Sequence, residues 1–134
     1  MTYSFGPGPM TPAVKAIIWA NIALFVASYV FGGVMIDYLG LKPQAVIERG
    51  WIWQLATYMF LHAGPMHILF NMLGVWMFGV ELERMWGTHF FARYYAITGV
   101  GAGVTALLAS LLPVEGFQMT YYATTIGASG ALYG

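Results

Sequence analysis

Residues Pro65–Arg84 read PMHILFNMLGVWMFGVELER, and this stretch decides the class of the chain. A helical span is expected over Pro65–Leu82, within the roughly 17–25 residues that cross a hydrocarbon core. Pro65 suits a first helical turn, where its missing N–H costs little. Glu81, Glu83 and Arg84 mark the exit from the apolar region. Two polar side chains interrupt the run. His67 and Asn71 stand at i and i+4, about 40° apart around a helix axis, and Gly74 continues their face with room for a close neighbour. Polar groups at membrane depth are costly and are functional candidates by default. Each of these two can donate a hydrogen bond, and two donors aimed at one point are what an oxyanion hole needs. Spacing alone equally allows both simply to bond other helices.

The composition around this stretch agrees with a membrane setting. Of 134 residues 60% are hydrophobic and 7% charged, against about 25% charged in soluble domains. The mean hydropathy is +0.71. Five basic residues balance five acidic ones, which argues against a nucleic-acid partner. Cysteine is absent, which excludes disulfides, thiolate metal sites and a Cys nucleophile. Five Trp and nine Tyr suit interfacial belts.

Working outward, residues 1–13 form a Gly/Pro-rich lead-in that reads as a flexible tail, without the basic region of a cleavable signal. A first span is expected over Val14–Ile36, apolar apart from Lys15, Asn21 and Ser28, with Gly32-Gly33 weakening its last turn. Asp37–Gly50 leaves the hydrocarbon, and Trp51–His62 reads as an aromatic interfacial segment. A third span is expected over Phe90–Leu112, then a loop over Pro113–Thr124 and a fourth helix starting near Ser129. The expected architecture is therefore all-α, a polytopic transmembrane bundle of three spans plus the start of a fourth, in a chain that looks truncated. Lys15, Arg84 and Arg93 against Lys42 and Arg49 favour a cytoplasmic N-terminus. Gly99, Gly103, Ala106 and Ser110 make a small-residue stripe suited to close helix packing, with the fourth helix as the expected neighbour.

Gly127-Ala128-Ser129-Gly130 is the second chemical candidate. Flanking glycines allow close backbone approach, and the N–H groups of a helix start can face a developing oxyanion. Alone, the motif reads better as a Ser helix cap. His62, His67 and His89 lack the spacing of a helical zinc pair, so no metal is expected. Glu83 and Arg84 read either as solvated interface residues or as clamps between helices.

Taken together these strings resemble the rhomboid family of intramembrane serine proteases. The matching residues are His62-x-x-x-x-His67-Ile68-Leu69-Phe70-Asn71-Met72, Phe78-Gly79, Leu82-Glu83-Arg84, the Gly87-Thr88 turn and Gly127-Ala128-Ser129-Gly130-Ala131-Leu132-Tyr133-Gly134. The resemblance covers Val14–Gly134 and implies a six-helix core with a water-filled cavity open to the extracytoplasmic side. It implies Ser129 as nucleophile, and His67, Asn71 and the Ser129 N–H as oxyanion donors. Gly127 resembles the glycine before the Ser loop, and Tyr133 the aromatic against which the catalytic His packs. Glu83 resembles the carboxylate that anchors the turn between spans two and three. The implied activity is cleavage of peptide bonds in or near transmembrane helices, with no cofactor. The implied partners are the bilayer and membrane-protein substrates, and the implied location is the bacterial plasma membrane. The pattern departs in two places. Trp53-Gln54 replaces the family's Trp-Arg, and the family's general-base His belongs to a sixth helix beyond Gly134. The fragment alone is thus expected to be inactive. A non-catalytic relative that binds transmembrane helices is the alternative, and an insertion or assembly intermediate held by other proteins is a third reading.

Overall fold

The computed structural model describes residues 5–128. The expected start of a fourth helix, with Ser129 and Tyr133, lies outside those residues. Among the described residues the chain is helical, with one isolated antiparallel bridge between Leu41 and Thr125.

Three long helices form the body. Helix α1 is Pro12–Phe31, α5 is Pro65–Trp86 and α6 is Thr88–Ser110. Their 20, 22 and 23 residues correspond to about 30–35 Å, one bilayer core. Helices α1 and α5 are each long and apolar enough to cross a membrane. Helix α6 reaches that standard together with the segment Glu115–Tyr121, from which it is bent by 119°. The chain is an integral membrane protein.

Short elements join these helices. Gly32 ends α1 with φ +60°, so the expected first span is broken there, and α2 resumes at Gly33–Leu39. Helix α3 is Pro43–Arg49 and α4 is Gln54–Thr57, which tightens into a 3₁₀ turn at Tyr58–Phe60. Helix α7, Glu115–Gln118, and the 3₁₀ turn Met119–Tyr121 occupy the expected loop. The second span runs a turn further than expected, to Trp86, because Gly87 rather than the charged trio ends the helix.

The core is where α1, α5 and α6 meet. On α1, Val14, Ile18 and Asn21 are buried at i, i+4 and i+7, while Trp19, Val26 and Val30 face outward. On α5, Ile68, Met72, Val75 and Gly79 turn inward, and Met66, Leu69, Phe70 and Phe78 outward. Such an outer apolar face is what lipid rather than water requires. Gly79 is essential to the crossing: a Cβ there would lie 2.8 Å from Val14 Cγ2 and 3.1 Å from Phe91 Cζ.

One carboxylate fastens the far end of the bundle. Glu83 is 3% exposed. Its Oε1 accepts the Ala13 N–H at 2.8 Å and the Thr88 hydroxyl at 2.8 Å, and its Oε2 accepts the Val14 N–H at 3.1 Å and the Thr11 hydroxyl. Thr11 caps no N–H of α1 with its own side chain, so a carboxylate from another helix satisfies donors that a helix start leaves orphaned, where negative charge is favoured. The same end holds residues 5–11 along α5: Trp76 Nε1 donates to the Gly8 carbonyl at 3.0 Å and Arg84 Nη1 to that of Pro7 at 2.6 Å. Because α1 and α5 run antiparallel, Gly32, Gly64 and the elements from α2 to the Tyr58–Phe60 turn gather at the opposite end.

Candidate active site

His67 is the third residue of α5, at that opposite end. The helix is capped by Gly64 with Pro65 in its first turn. Ala63, just before the cap, donates its N–H to His67 Nδ1 at 3.1 Å. A side chain three residues into the helix thus satisfies a donor upstream of it, as the N3 side chain of a capping box does. In the neutral ring an occupied Nδ1 acceptor leaves the proton on Nε2. The nitrogen that carries the proton faces Gly127. A Cβ built on Gly127 would lie 2.9 Å from His67 Nε2 and 3.0 Å from Cε1, and φ there is +114°. Glycine is thus required twice, by the backbone conformation and by the ring against it.

Asn71 lies one turn deeper and is buried. Its Nδ2 donates to the His67 carbonyl at 2.7 Å. One of its two amide protons is therefore committed to its own helix, and the other is left for a further acceptor. Its Oδ1 has no partner among the described residues.

The segment leading to Gly127 is held by groups that pattern reading passed over. Leu41 and Thr125 exchange both backbone hydrogen bonds, at 2.9 and 2.8 Å. Gly127 donates its N–H to the Tyr58 carbonyl at 2.9 Å. The Tyr58 hydroxyl donates to the Gly99 carbonyl on α6 at 2.6 Å. The small-residue stripe of α6 serves this attachment: a Cβ on Gly103 would lie 3.0 Å from both the Leu55 carbonyl oxygen and Tyr58 Cε1. Among the described residues Gly99 and Gly103 of the stripe thus meet the interfacial segment, and the fourth helix expected beside the stripe lies outside those residues. Gln54, where the family pattern has Arg, is fully buried. Its Nε2 donates to the carbonyls of Asp37 and Tyr38 at 3.3 and 3.2 Å, and its Oε1 accepts the Lys42 N–H at 3.0 Å. It braces the turn that ends at Leu41 from inside.

His62 sits beside His67, ring centroids 5.0 Å apart and edge-on at 68°. It is 3% exposed, and neither ring nitrogen has a partner among the described residues. Burial, reinforced by the neighbouring His67, pushes its pKa down to about 4. Among the described residues no third His, Cys, Asp or Glu joins this pair as a metal set would require. His89 is at the Glu83 end, in the first turn of α6.

A family model, the Rhomboid domain, matches residues 49–134, which is more than half of the chain. The chain belongs to the rhomboid family. It is 33% identical over 95 residues to Rhomboid protease GluP of Bacillus subtilis, covering 71% of this chain and 17% of GluP. It is 38% identical over 94 residues to RHOMBOID-like protein 2 of Arabidopsis thaliana, covering 70% of this chain and 26% of that protein. YdcA of Bacillus subtilis is 30% identical over 122 residues, 91% of this chain and 55% of YdcA. The chain thus spans about half or less of the length of these relatives.

Proposed function

We propose that this chain forms the N-terminal part of a rhomboid-type intramembrane serine endopeptidase. The observation that carries the reading is the contact between Gly127 and the protonated nitrogen of His67, two residues before Ser129 in sequence. In this reading the Ser129 hydroxyl attacks a peptide carbonyl in or near a substrate's transmembrane helix. The tetrahedral oxyanion receives hydrogen bonds from His67 Nε2–H, the uncommitted Asn71 amide proton and the Ser129 N–H. Collapse releases the amine and leaves an acyl-enzyme, which water hydrolyses.

The base that takes the Ser129 proton is not one of the three histidines of this chain. His67 carries a proton on the nitrogen that faces the site, with Nδ1 already accepting from Ala63. His62, with its pKa near 4, binds a proton weakly at neutral pH. His89 belongs to the other end of α6. These 134 residues alone are therefore proposed to be inactive, with the base supplied from elsewhere in the parent protein. Lys15, Arg84 and Arg93 lie toward the Glu83 end and Lys42 and Arg49 toward the site end, which supports a cytoplasmic N-terminus and an extracytoplasmic site.

A fluorophosphonate probe tests the proposal. It should label the full-length parent, fail to label Ser129→Ala, and fail on the 134-residue chain. Labelling of the short chain would remove the external base from the mechanism, and equal labelling of the Ser129→Ala parent would remove Ser129.

A further inference from the structure

A cavity of about 400 Å³ opens at the site end of the bundle, away from His67. Its wall brings together Asp37, Lys42 and Arg49 with the rings of Tyr38 and Trp51. The charges come from separate elements: Asp37 from α2, Lys42 from the turn before α3, and Arg49 from the last turn of α3. They share one cavity without pairing with each other. Among the described residues the ion pair is Arg84–Glu81, at the other end. Glu48, the remaining carboxylate of this region, already accepts from Gln44 Nε2 at 3.1 Å and from the Tyr121 hydroxyl at 3.1 Å.

The aromatic wall is built rather than incidental. Trp51 stacks on Trp53 with centroids 5.5 Å apart, and Tyr38 meets Trp51 edge-on at 5.3 Å. Trp53 Nε1 ties this group to the Tyr38 carbonyl at 3.0 Å. Arg49 lies over the Trp51 ring, its guanidinium carbon 5.2 Å from the centroid. Val34, Ile47 and Ile52 are 75%, 51% and 69% exposed around this region. One helix length, about 30 Å, separates it from the Glu83 end, which puts it at a membrane–water interface, where Trp and Tyr are favoured.

Two cations without an anion and one carboxylate without a cation, facing a cavity with an apolar surround, match a zwitterion with a hydrocarbon tail. The geometry points to a binding site for a zwitterionic phospholipid headgroup. Lys42 and Arg49 take the phosphate. Asp37 takes the ammonium group, with the Tyr38 ring beside it, while the Trp51 ring holds the Arg49 guanidinium in place. Val34 and Ile52 lie against the acyl chains. A free phosphocholine carries the same charges, but it leaves that apolar surround without a partner. An anionic lipid that lacks the ammonium group sets its negative headgroup against Asp37. Lys42 follows Leu41, so the occupied cavity sits one residue from the backbone pair that leads to Gly127.

Native mass spectrometry of the detergent-purified chain tests this with three probes: dihexanoylphosphatidylcholine, dihexanoylphosphatidylglycerol and free phosphocholine. One dihexanoylphosphatidylcholine should be retained about fivefold better than either of the others, the advantage of one partly exposed charge pair or about one buried methylene. Asp37→Asn should erase the preference for choline over glycerol headgroups, and Asp37→Glu should keep it. Lys42→Gln with Arg49→Gln should weaken retention of both lipids. Equal retention of the two lipids by the wild type, or an unchanged preference in Asp37→Asn, overturns the site. Free phosphocholine held as well as the lipid overturns the assignment to lipid.

Discussion

Tyr58 joins α6 to the approach of the candidate nucleophile with one residue: its hydroxyl donates to the Gly99 carbonyl at 2.6 Å, and its own carbonyl accepts the Gly127 N–H at 2.9 Å. The interfacial segment is thus more than a connection between spans. It sets where Gly127 meets His67.

Gly127→Ala places a methyl group 2.9 Å from His67 Nε2 and forces an L side chain to φ +114°. Backbone strain of this kind costs about 1–3 kcal/mol. Fluorophosphonate labelling of the full-length parent should slow by roughly 10- to 100-fold, and unfolding should be destabilised by about the same 1–3 kcal/mol. Labelling at the wild-type rate would separate Gly127 from the proposed chemistry.

Glu83→Ala leaves the Ala13 and Val14 N–H groups without their acceptor and frees Thr88. Each unsatisfied buried donor costs about 1–3 kcal/mol, so unfolding in detergent micelles should be destabilised by roughly 2–5 kcal/mol. Glu83→Gln keeps one acceptor oxygen and should lose less. A fully stable Glu83→Ala would show that the start of α1 is held by something else.

The buried His62 makes stability depend on pH. Its folded pKa, about 4, lies below the ordinary value of 6.5, so the unfolded chain binds the proton first. Stability is full above pH 6.5 and falls as the pH drops toward 4. Comparing wild type with His62→Gln between pH 8 and 5, the wild type should lose about 2 kcal/mol more. Parallel curves for the two proteins would mean that His62 is hydrated in the native state.

Gln54→Leu keeps the bulk but removes the acceptor of the Lys42 N–H and the donor to Asp37 and Tyr38. The expected loss is about 1–3 kcal/mol, with faster amide exchange at Leu41 and Thr125, whose pairing depends on that turn. Exchange unchanged at both amides would show that the turn holds its shape without Gln54.

Much of the helical framework was legible because lipid imposes it. A span must be long, apolar and internally hydrogen-bonded, so Pro65, the run after it and the charges near Arg84 mark a helix within a few residues. The break at Gly32 was signalled by Gly32-Gly33, but its sharpness depends on α2 packing back toward α4. The pairing of His67 with Asn71 on one face was also legible, since it follows from helical spacing. Asn71's bond to the His67 carbonyl was not, because an amide four residues on can bond its own backbone or reach across. Gln54 read as a departure from a pattern; its burial depends on Asp37, Tyr38 and Lys42 closing around it.

The chain by itself determined that it enters a membrane as helices and that polar groups recur at chosen depths, because those features rest on local composition and on a fixed rise per residue. Only the tertiary structure decided which groups meet: Glu83 with the first turn of α1, Tyr58 with Gly99 and Gly127, and His67 with a glycine 60 residues later. Such meetings depend on how helices cross and which backbone donors are left unsatisfied where they do, and no local pattern encodes a crossing.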